Sequence, residues 1–359
     1  MSSLTLRSLS RQPKSQHMKN SIAAVGLFLF TFMLPLKAVA ATFSSIYVFG
    51  DSLSDTGNVF NSSGNTFPPS PYFNGRFSNG PNWIDDLAQK LGLTSPTPIT
   101  KVSAGVSPTD GINFAFGGAT TGADNTISPA FPGLRQEVGS FTNLLQKGVS
   151  ADPKALYIIW AGANDYLPTT SSFVPYTQPN TSLNNLSSAV TSLYNDGARN
   201  VLVVNLADLG KTPLALGTDQ LIPGTSARLN TLTQEHNAGL TQEIQGLSQS
   251  LTGINLISLD VNSLFNQATA PNNPYGFENV TTPCFNSSTG SVCNDPSKFL
   301  FWDQTHPTAG THQIIANAAY TTLETESVPE PSTNCALLAF GVIWAGSVFK
   351  SQLTSSNKH

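Results

Sequence analysis

Four short apolar segments limit the fold of this chain more than any other feature of its sequence. They are rich in β-branched and aromatic residues, and they are Ser45–Phe49, Ala155–Trp160, Asn200–Asn205 and Ile254–Leu259. A strand with one face in water alternates apolar and polar residues, whereas these segments are apolar almost throughout. They are therefore predicted to be strands that helices cover on both faces.

Helical patterns lie between and beside these strands. Leucines recur at helical spacing over Thr225–Leu251, and a second apolar stripe follows Ser182, which can cap the start of its helix. Three further helices are predicted at Trp83–Leu91, Leu134–Gln146 and Thr308–Leu323. The alternation of strands and helices indicates one α/β domain with a central parallel sheet.

Two long segments interrupt this alternation, Asn61–Gly80 and Asn262–Phe301, and both are predicted to be loops. The second contains Cys284 and Cys293, separated by eight turn-forming residues, while Cys335 lies near the C-terminus. In an oxidising compartment the close pair favours a local disulfide. No metal site is expected, because neither C-x-x-C nor H-E-x-x-H occurs in the sequence.

The first 40 residues have the pattern of a secretory signal peptide. A basic stretch precedes the apolar segment Ser21–Leu36, and Ala38–Ala40 fits the small-x-small cleavage pattern. The apolar run is shorter than the ~20 residues that a membrane span needs, which favours cleavage after Ala40 over the alternative of a retained anchor. The protein is therefore expected to be exported, with a folded domain that begins at residue 41.

A second targeting pattern lies at the C-terminus. Val328–Ser332 contains Pro-Glu-Pro, and the apolar run Cys335–Phe349 and Lys350 follow it. This segment resembles the PEP-CTERM sorting signal of bacteria that make extracellular polysaccharide, although the tail of that signal is usually rich in arginine. The resemblance implies a domain end near residue 326, transient membrane anchoring, and sorting and processing machinery at the membrane as a partner. The alternative is a last apolar helix that packs on the domain.

The composition excludes one class of partner. Charged residues make up 11% of the chain and the net charge is −4, whereas about a quarter of the residues in an average protein are charged. A nucleic-acid-binding domain carries a basic patch or stripe. The predicted domain contains no run of Lys and Arg, so no nucleic-acid partner is expected.

Polar clusters stand where the predicted strands end. Gly50–Asn58 follows the first strand, Gly162–Asp165 follows the second, and Asp303–Pro307 precedes the last helix. Ligands of parallel α/β sheets bind at the carboxyl ends of the strands. The three clusters are therefore expected to share one site.

The residue types in these clusters fit nucleophilic catalysis by a serine, which needs a base, a group that orients the base, and donors for an oxyanion. Asp303 precedes His306 by three residues, so a turn can bring its carboxylate to Nδ1 and leave Nε2 for the Ser52 hydroxyl. His236 lies among leucines on a predicted helix, and His312 lacks a carboxylate at this spacing. A Gly-Asp-Ser triplet alone is common turn chemistry, so Ser52 is a candidate only together with the other clusters.

Four blocks of the sequence resemble the conserved blocks of the GDSL (SGNH) hydrolase family, in that family's order. They are Phe49–Asn58 (FGDSLSDTGN), Asn113–Ala119 (NFAFGGA), Trp160–Asp165 (WAGAND) and Asp303–Pro307 (DQTHP). The resemblance implies the family's fold, a three-layer α/β/α sandwich of flavodoxin-like type with a central parallel sheet.

The resemblance also implies a role for each site residue. Ser52 would be the nucleophile and His306 the base, held by Asp303. The oxyanion donors would be the backbone N–H groups of Ser52 and Gly118 and the side-chain amide of Asn164. The neighbouring carboxylates, Asp51, Asp55 and Asp165, are expected to organise their own loops through hydrogen bonds to the backbone.

The expected activity is hydrolysis of carboxylic esters through an acyl-serine, without a cofactor. Gly75–Gly80 together with Trp83 looks like a subgroup of bacterial lipases, lecithinases and haemolysins, which favours a lipid or other hydrophobic acyl ester as substrate. The aromatic residues of Asn61–Gly80 would suit its acyl pocket. The sorting signal suggests instead an O-deacetylase of extracellular polysaccharide, and a cell-surface binding protein with a vestigial site is the alternative from another class.

Overall fold

The computed structural model describes residues 43–145 and 150–326, so the predicted signal peptide and sorting segment lie outside the described residues. The strands of its central sheet are β1 (Ile46–Gly50), β2 (Thr97–Pro98), β3 (Gly111–Asn113), β4 (Leu156–Trp160), β5 (Asn200–Val204) and β6 (Asn255–Leu259). Their order across the sheet is β2-β3-β1-β4-β5-β6, and every neighbouring pair is parallel. A short antiparallel hairpin is formed separately by β7 (Phe285–Asn286) and β8 (Ser291–Val292).

Helices connect the strands and cover the sheet. They are α1 (Asn58–Ser62), α2 (Trp83–Lys90), α3 (Ile99–Ser103), α4 (Leu134–Leu145), α5 (Ala163–Tyr166), α6 (Asn180–Asp196), α7 (Pro213–Asp219), α8 (Thr225–Ser250), α9 (Val261–Ala268) and α10 (Ala309–Glu326). Two turns of 3₁₀ helix lie at Leu209–Lys211 and Pro296–Lys298. Across the described part of the chain, no helix combines the length and the apolar character needed to cross a membrane.

The core consists of two apolar layers, one on each face of the sheet. Successive side chains of a strand point to opposite faces, so Val48 of β1 packs with Trp83 of α2 and Ile315 of α10. On the other face, Phe49 packs with Phe141 of α4, together with the buried leucines of α6 and with Leu240 of α8. Truncating such a buried aromatic residue to alanine typically costs ~3–5 kcal/mol of stability. The prediction of a three-layer α/β/α sandwich around a parallel sheet is confirmed.

The register of the strands sets where the connecting segments emerge. Gly50 at the end of β1 lies opposite Trp160 at the end of β4, and Val204 of β5 lies opposite Leu259 of β6. The segments that follow these strands therefore leave the sheet on one side, at the carboxyl ends of the strands. This side holds the polar clusters that follow β1 and β4.

The predicted start of one helix is wrong. Helix α6 begins at Asn180 after Pro179, so Ser182 does not cap it and lies inside its first turn. The Ser182 hydroxyl is fully buried and donates a hydrogen bond to the carboxylate of Asp165. A serine that serves a distant buried carboxylate has the same local sequence as a capping serine, which explains the error.

One of the two predicted loops contains regular structure. Asn262–Phe301 includes most of α9, the β7–β8 hairpin and a 3₁₀ turn. The side chain of Asp260 caps α9 by accepting a hydrogen bond from the Ser263 N–H. Short elements of this kind leave too few periodic residues for a sequence pattern. Residues 63–80 of the other predicted loop contain neither helix nor strand.

Candidate active site

Ser52 lies in the turn that follows β1, and a glycine lets this turn approach the neighbouring strand. Gly50 has φ +148°, and a Cβ atom there would lie 2.1 Å from the carbonyl oxygen of Trp160, so any other residue would collide with β4. The N–H groups of Ser54 and Asp55 both donate to the Asp51 carbonyl at 3.0 Å and close the turn. The Ser52 side chain is thereby fixed at the carboxyl edge of the sheet.

The structure brings Ser52, His306 and Asp303 together in one hydrogen-bonded chain. His306 Nε2 lies 2.7 Å from Ser52 Oγ, and His306 Nδ1 lies 2.7 Å from Asp303 Oδ2. The other carboxylate oxygen, Oδ1, accepts hydrogen bonds from the N–H groups of Thr305 at 2.9 Å and His306 at 2.8 Å. Because the carboxylate can only accept a proton from Nδ1, Nε2 is the free acceptor for the serine hydroxyl.

Charge and burial act against each other in this acid–base pair. Burial raises the pKa of Asp303, but the charge of His306 and the hydrogen bonds to the carboxylate outweigh it and hold that pKa below its usual range. Burial lowers the pKa of His306, but the charge and hydrogen bond of Asp303 outweigh it, and the charge of Asp51 adds to them. The pKa of His306 is therefore raised, which makes its imidazole a stronger base.

Tyr72 also binds the carboxylate, and no pattern in the sequence predicted this contact. Its hydroxyl donates to Asp303 Oδ2 at 2.7 Å, across 231 residues of sequence. Burial raises the pKa of Tyr72, and the charge of Asp303 raises it further. Its neighbour Phe77 packs on the imidazole of His306 with ring centroids 5.1 Å apart. Two aromatic residues of Asn61–Gly80 therefore contact Asp303 and His306, whereas the aromatic residues of this segment were expected to line an acyl pocket.

The three residues of the predicted oxyanion donors, Ser52, Gly118 and Asn164, line one pocket. Gly118 has φ +80°, and a Cβ atom there would lie 2.7 Å from Asn125 Oδ1. In the described part of the chain, the N–H groups of Ser52 and Gly118 donate to no backbone carbonyl. The Asn164 amide donates to the Ala119 carbonyl at 3.0 Å, and Asp51 Oδ2 lies 3.4 Å from the same nitrogen.

Buried carboxylates tie the loops of the site together. Asp55 accepts hydrogen bonds from the N–H groups of Gly57, Asn58 and Val59 in its own loop, and from Gly117 in the next loop at 3.0 Å. These bonds fix the position of the Gly118 segment relative to the Ser52 segment.

Two further buried carboxylates of the site belong to Asp165 and Asp51. Asp165 accepts from the N–H and the hydroxyl of Thr121, 44 residues away, so it binds another loop, whereas it was expected to organise its own. Asp51 accepts from the Leu53 N–H at 3.0 Å, and burial raises its pKa to about 7. Asp51 therefore changes charge near neutral pH, directly beside the Ser52 turn.

A pocket of about 240 Å³ opens at Ser52 and His306. Its wall is mainly apolar, with side chains from the segments after β4, β5 and β6 and from the start of α7; these include Leu167, Leu206, Leu209, Leu214, Phe265 and Phe301. An apolar cavity with a few polar groups at one end is typical of a small-molecule site.

The other two histidines of the described residues, His236 and His312, do not line the pocket at Ser52. His236 is fully buried, its Nδ1 lies 2.8 Å from the Tyr166 hydroxyl, and burial lowers its pKa to about 4. Burial lowers the pKa of His312 to about 3. A disulfide joins Cys284 to Cys293 across the β7–β8 hairpin. Among residues 43–145 and 150–326, no group of three or more His, Cys, Asp and Glu side chains could hold a metal ion.

A serine hydroxyl, an imidazole and a carboxylate linked in this order define a site of the serine hydrolase class. The profile of the GDSL-like Lipase/Acylhydrolase family matches residues 46–319 of this chain. The chain therefore belongs to this family, and the prediction of a carboxylic ester hydrolase is confirmed at the level of the family.

Several relatives match over most of the chain. A GDSL esterase/lipase of Arabidopsis thaliana is 28% identical, over 83% of this chain and 92% of its own length. The thermolabile hemolysin of Vibrio parahaemolyticus is 28% identical, over 76% of this chain and 62% of its own length. The phosphatidylcholine-sterol acyltransferase of Aeromonas hydrophila is 27% identical, over 79% of this chain and 91% of its own length.

Proposed function

We propose that this protein hydrolyses carboxylic esters through an acyl intermediate on Ser52. The observation that carries the proposal is the chain from Ser52 Oγ through the His306 imidazole to Asp303 Oδ2, with 2.7 Å at each contact, at the mouth of an apolar pocket. The raised pKa of His306 supports its role as the base.

The first half of the reaction forms the acyl-enzyme. Ser52 Oγ attacks the ester carbonyl carbon while His306 Nε2 takes its proton, and the carbonyl oxygen becomes an oxyanion. His306 then passes that proton to the leaving alcohol as the C–O bond breaks. In the second half, a water molecule gives a proton to Nε2 and attacks the acyl carbon. The bond between that carbon and Ser52 Oγ then breaks, Oγ takes the proton back from Nε2, and the carboxylic acid leaves.

The oxyanion would be held by the N–H groups of Ser52 and Gly118 and by the amide of Asn164. An amide nitrogen carries two hydrogens, and one of those on Asn164 is used by the Ala119 carbonyl. The other faces only the long 3.4 Å contact with Asp51, which a charged oxygen can replace. Loss of one such donor typically costs ~10²–10³ in rate.

The pocket supports an acyl chain longer than acetyl. Its apolar wall begins beside Ser52 and continues over leucine and phenylalanine side chains, for which an acetyl group offers few contacts. The relatives include a hemolysin and an acyltransferase, which supports a lipid acyl ester as the substrate class and leaves an alcohol as a second possible acyl acceptor. The apolar wall favours this substrate class over an acetylated polysaccharide.

Ser52→Ala tests the proposal. The variant should keep the melting temperature of the wild type and lose p-nitrophenyl ester hydrolysis and labelling by a fluorophosphonate. A series of p-nitrophenyl esters from acetate to palmitate, with acetylated glycans beside it, should show a preference for the longer acyl chains. Unchanged turnover by Ser52→Ala would contradict the mechanism, and a preference for acetylated glycans would contradict the substrate class.

We also propose that the protein acts outside the cytoplasm. The proposal rests on the basic and apolar N-terminal pattern that ends at Ala40 and on the Pro-Glu-Pro segment Val328–Ser332. The intact mass of the protein recovered from a secreting host should correspond to a chain that begins at Ala41 and is processed near Val328. A mass that includes residues 1–40 would contradict removal of the signal peptide during export.

A further inference from the structure

Glu137 is a buried acidic side chain that the proposed mechanism does not use. It is 1% exposed and lies in the first turn of α4. Its Oε2 accepts a hydrogen bond from the Gly50 N–H at 2.7 Å, and its Oε1 accepts one from the Phe116 N–H at 3.1 Å. Gly50 stands two residues before Ser52, and Phe116 stands two residues before Gly118. One carboxyl group therefore binds both segments that present the backbone donors of the proposed oxyanion hole.

The Glu137 carboxyl group lies where strand β1 and the segment that follows β3 diverge. The Phe114 N–H donates to the Val48 carbonyl at 2.7 Å, and the Phe116 N–H donates to the Gly50 carbonyl at 3.0 Å. If the parallel ladder continued regularly, the Gly50 N–H would donate to a carbonyl of the neighbouring chain. It donates instead to Glu137, whose carboxyl group joins the two chains where their own pairing ends.

We propose that Glu137 is a positioning residue that sets the distance between the Ser52 and Gly118 N–H groups. The inference rests on the proposed function, because Glu137 acts only through the oxyanion hole. Two donors stabilise an oxyanion only if both reach the same atom, and a misplacement of about 1 Å can cost ~10²-fold in rate. A group that holds both segments from within the core keeps this geometry without touching the substrate.

The charge of Glu137 is a separate question from its hydrogen bonds. Burial raises its pKa well above the usual range, and the charges of Asp51 and Asp55 raise it further. The two backbone N–H groups that donate to the carboxyl group act in the opposite direction and lower its pKa. Glutamine has the same size and no charge, but only its Oε1 can accept a hydrogen bond. Glu137→Gln therefore keeps the volume and loses one of the two backbone bonds.

The test compares Glu137→Gln with Glu243→Gln. Glu243 is partly buried, whereas Glu137 is fully buried, and it also accepts a hydrogen bond, from the Ser187 hydroxyl at 2.6 Å. That bond joins α8 to α6, and Glu243 does not line the pocket. For each protein, kcat and KM are measured on a p-nitrophenyl ester, and active sites are counted from the end point of fluorophosphonate labelling. Glu137→Gln should lose about 10- to 100-fold in kcat per labelled site with KM within about twofold, and Glu243→Gln should match the wild type.

Glu137→Leu, which removes both acceptors, should lose more activity than Glu137→Gln; if it does not fold, Glu137→Gln decides the question. A Glu137→Gln protein with wild-type kcat per labelled site would overturn the proposal, even if its melting temperature falls. So would a variant in which only KM changes. If the wild type neither hydrolyses esters nor reacts with the fluorophosphonate, the proposed function itself fails, and the role of Glu137 fails with it.

Discussion

Two donors meet at one oxygen atom of the acid–base pair. Tyr72 Oη and His306 Nδ1 each lie 2.7 Å from Asp303 Oδ2. A hydrogen bond from a neutral hydroxyl stabilises the carboxylate and so weakens its pull on the imidazole proton. Tyr72 therefore limits how far Asp303 raises the pKa of His306.

Tyr72→Phe should move the acid limb of the pH–rate profile to higher pH. Without the hydroxyl, Asp303 holds the His306 proton more tightly, and the base becomes free only at a higher pH; the shift should be up to about one pH unit. The measurement is kcat/KM against pH. Tyr194→Phe is the control, because its hydroxyl donates to the Thr252 carbonyl far along the sequence from the site residues. An unchanged acid limb in Tyr72→Phe would contradict this role.

Asp51→Asn should move the same limb in the opposite direction. The Asp51 carboxylate raises the pKa of His306, and its own pKa is about 7, so it is charged over the upper part of the profile. Asparagine removes that charge, the pKa of His306 falls, and the rate should begin to rise at lower pH. A shift of the limb to higher pH would show that the charge of Asp51 does not act on His306 in this way.

The sequence identified those site residues that stand at fixed places along the chain. Ser52 follows a strand, and Asp303 precedes His306 by one turn, so both could be found from local spacing. Tyr72 and Glu137 reach their partners across 231 and 87 residues of sequence, and no periodicity marks such contacts. Their residue types are also unremarkable for a loop and for the first turn of a helix.

At the scale of the elements, apolar patterns of five or six residues were enough to predict a strand, and shorter ones were not. The four predicted strands correspond to β1, β4, β5 and β6 within one residue at each end. Strands β2 and β3 have two and three residues, which is too short for any pattern, and β2 contains Pro98. They pair because β1 presents its edge to β3, and β3 in turn presents its edge to β2. This is information that only the folded sheet contains.

Helix α7 forms part of the wall of the pocket through Leu214, so its side chains should set the acyl length. Leu214→Trp should shorten the preferred acyl chain, because each methylene excluded from an apolar pocket loses about 1–3 kcal/mol of transition-state binding. Hydrolysis of p-nitrophenyl acetate should change little. The measurement is kcat/KM over esters of increasing acyl length.

Leu216→Trp provides the matched control, since Leu216 lies on the same helix and does not line the pocket. It should leave the chain-length profile unchanged. Equal profiles for Leu214→Trp and the wild type would place the acyl chain elsewhere and would contradict the assignment of this pocket.

The whole molecule holds several acidic groups in its interior whose pKa values burial raises. They are Asp51, Asp55, Glu137 and Asp165. A group whose pKa is higher in the folded than in the unfolded state binds its proton more tightly when folded, so its contribution to stability is lost as pH rises through the folded pKa. His306 has the same sign, because its pKa is also raised. His236 and His312 have the opposite sign, with folded pKa values of about 4 and about 3.

The signs of these contributions to stability decide in which pH range the melting temperature should be measured. Above about pH 7.5, His236 and His312 are mostly neutral in both the folded and the unfolded state, because the unfolded pKa of histidine is about 6.5, so they contribute little to the slope. Asp51, with a pKa of about 7, and His306 still hold a fraction of a proton that the unfolded chain has released. The melting temperature should therefore fall between about pH 7.5 and 8.5, by less than the about 2–4 °C per pH unit that one whole extra proton in the folded state would give.

Thermal unfolding at several pH values in this window, followed by circular dichroism, checks this expectation. Asp51→Asn is the informative variant, because it removes the group whose pKa is about 7 and should flatten the slope at the lower end of this range. Lysine and tyrosine side chains do not change this slope, because their usual pKa values of about 10 lie above the pH range of the measurement. A melting temperature that rises with pH would mean that Asp51 and its buried neighbours are ionised in the folded state, stabilised by the backbone N–H groups that they bind.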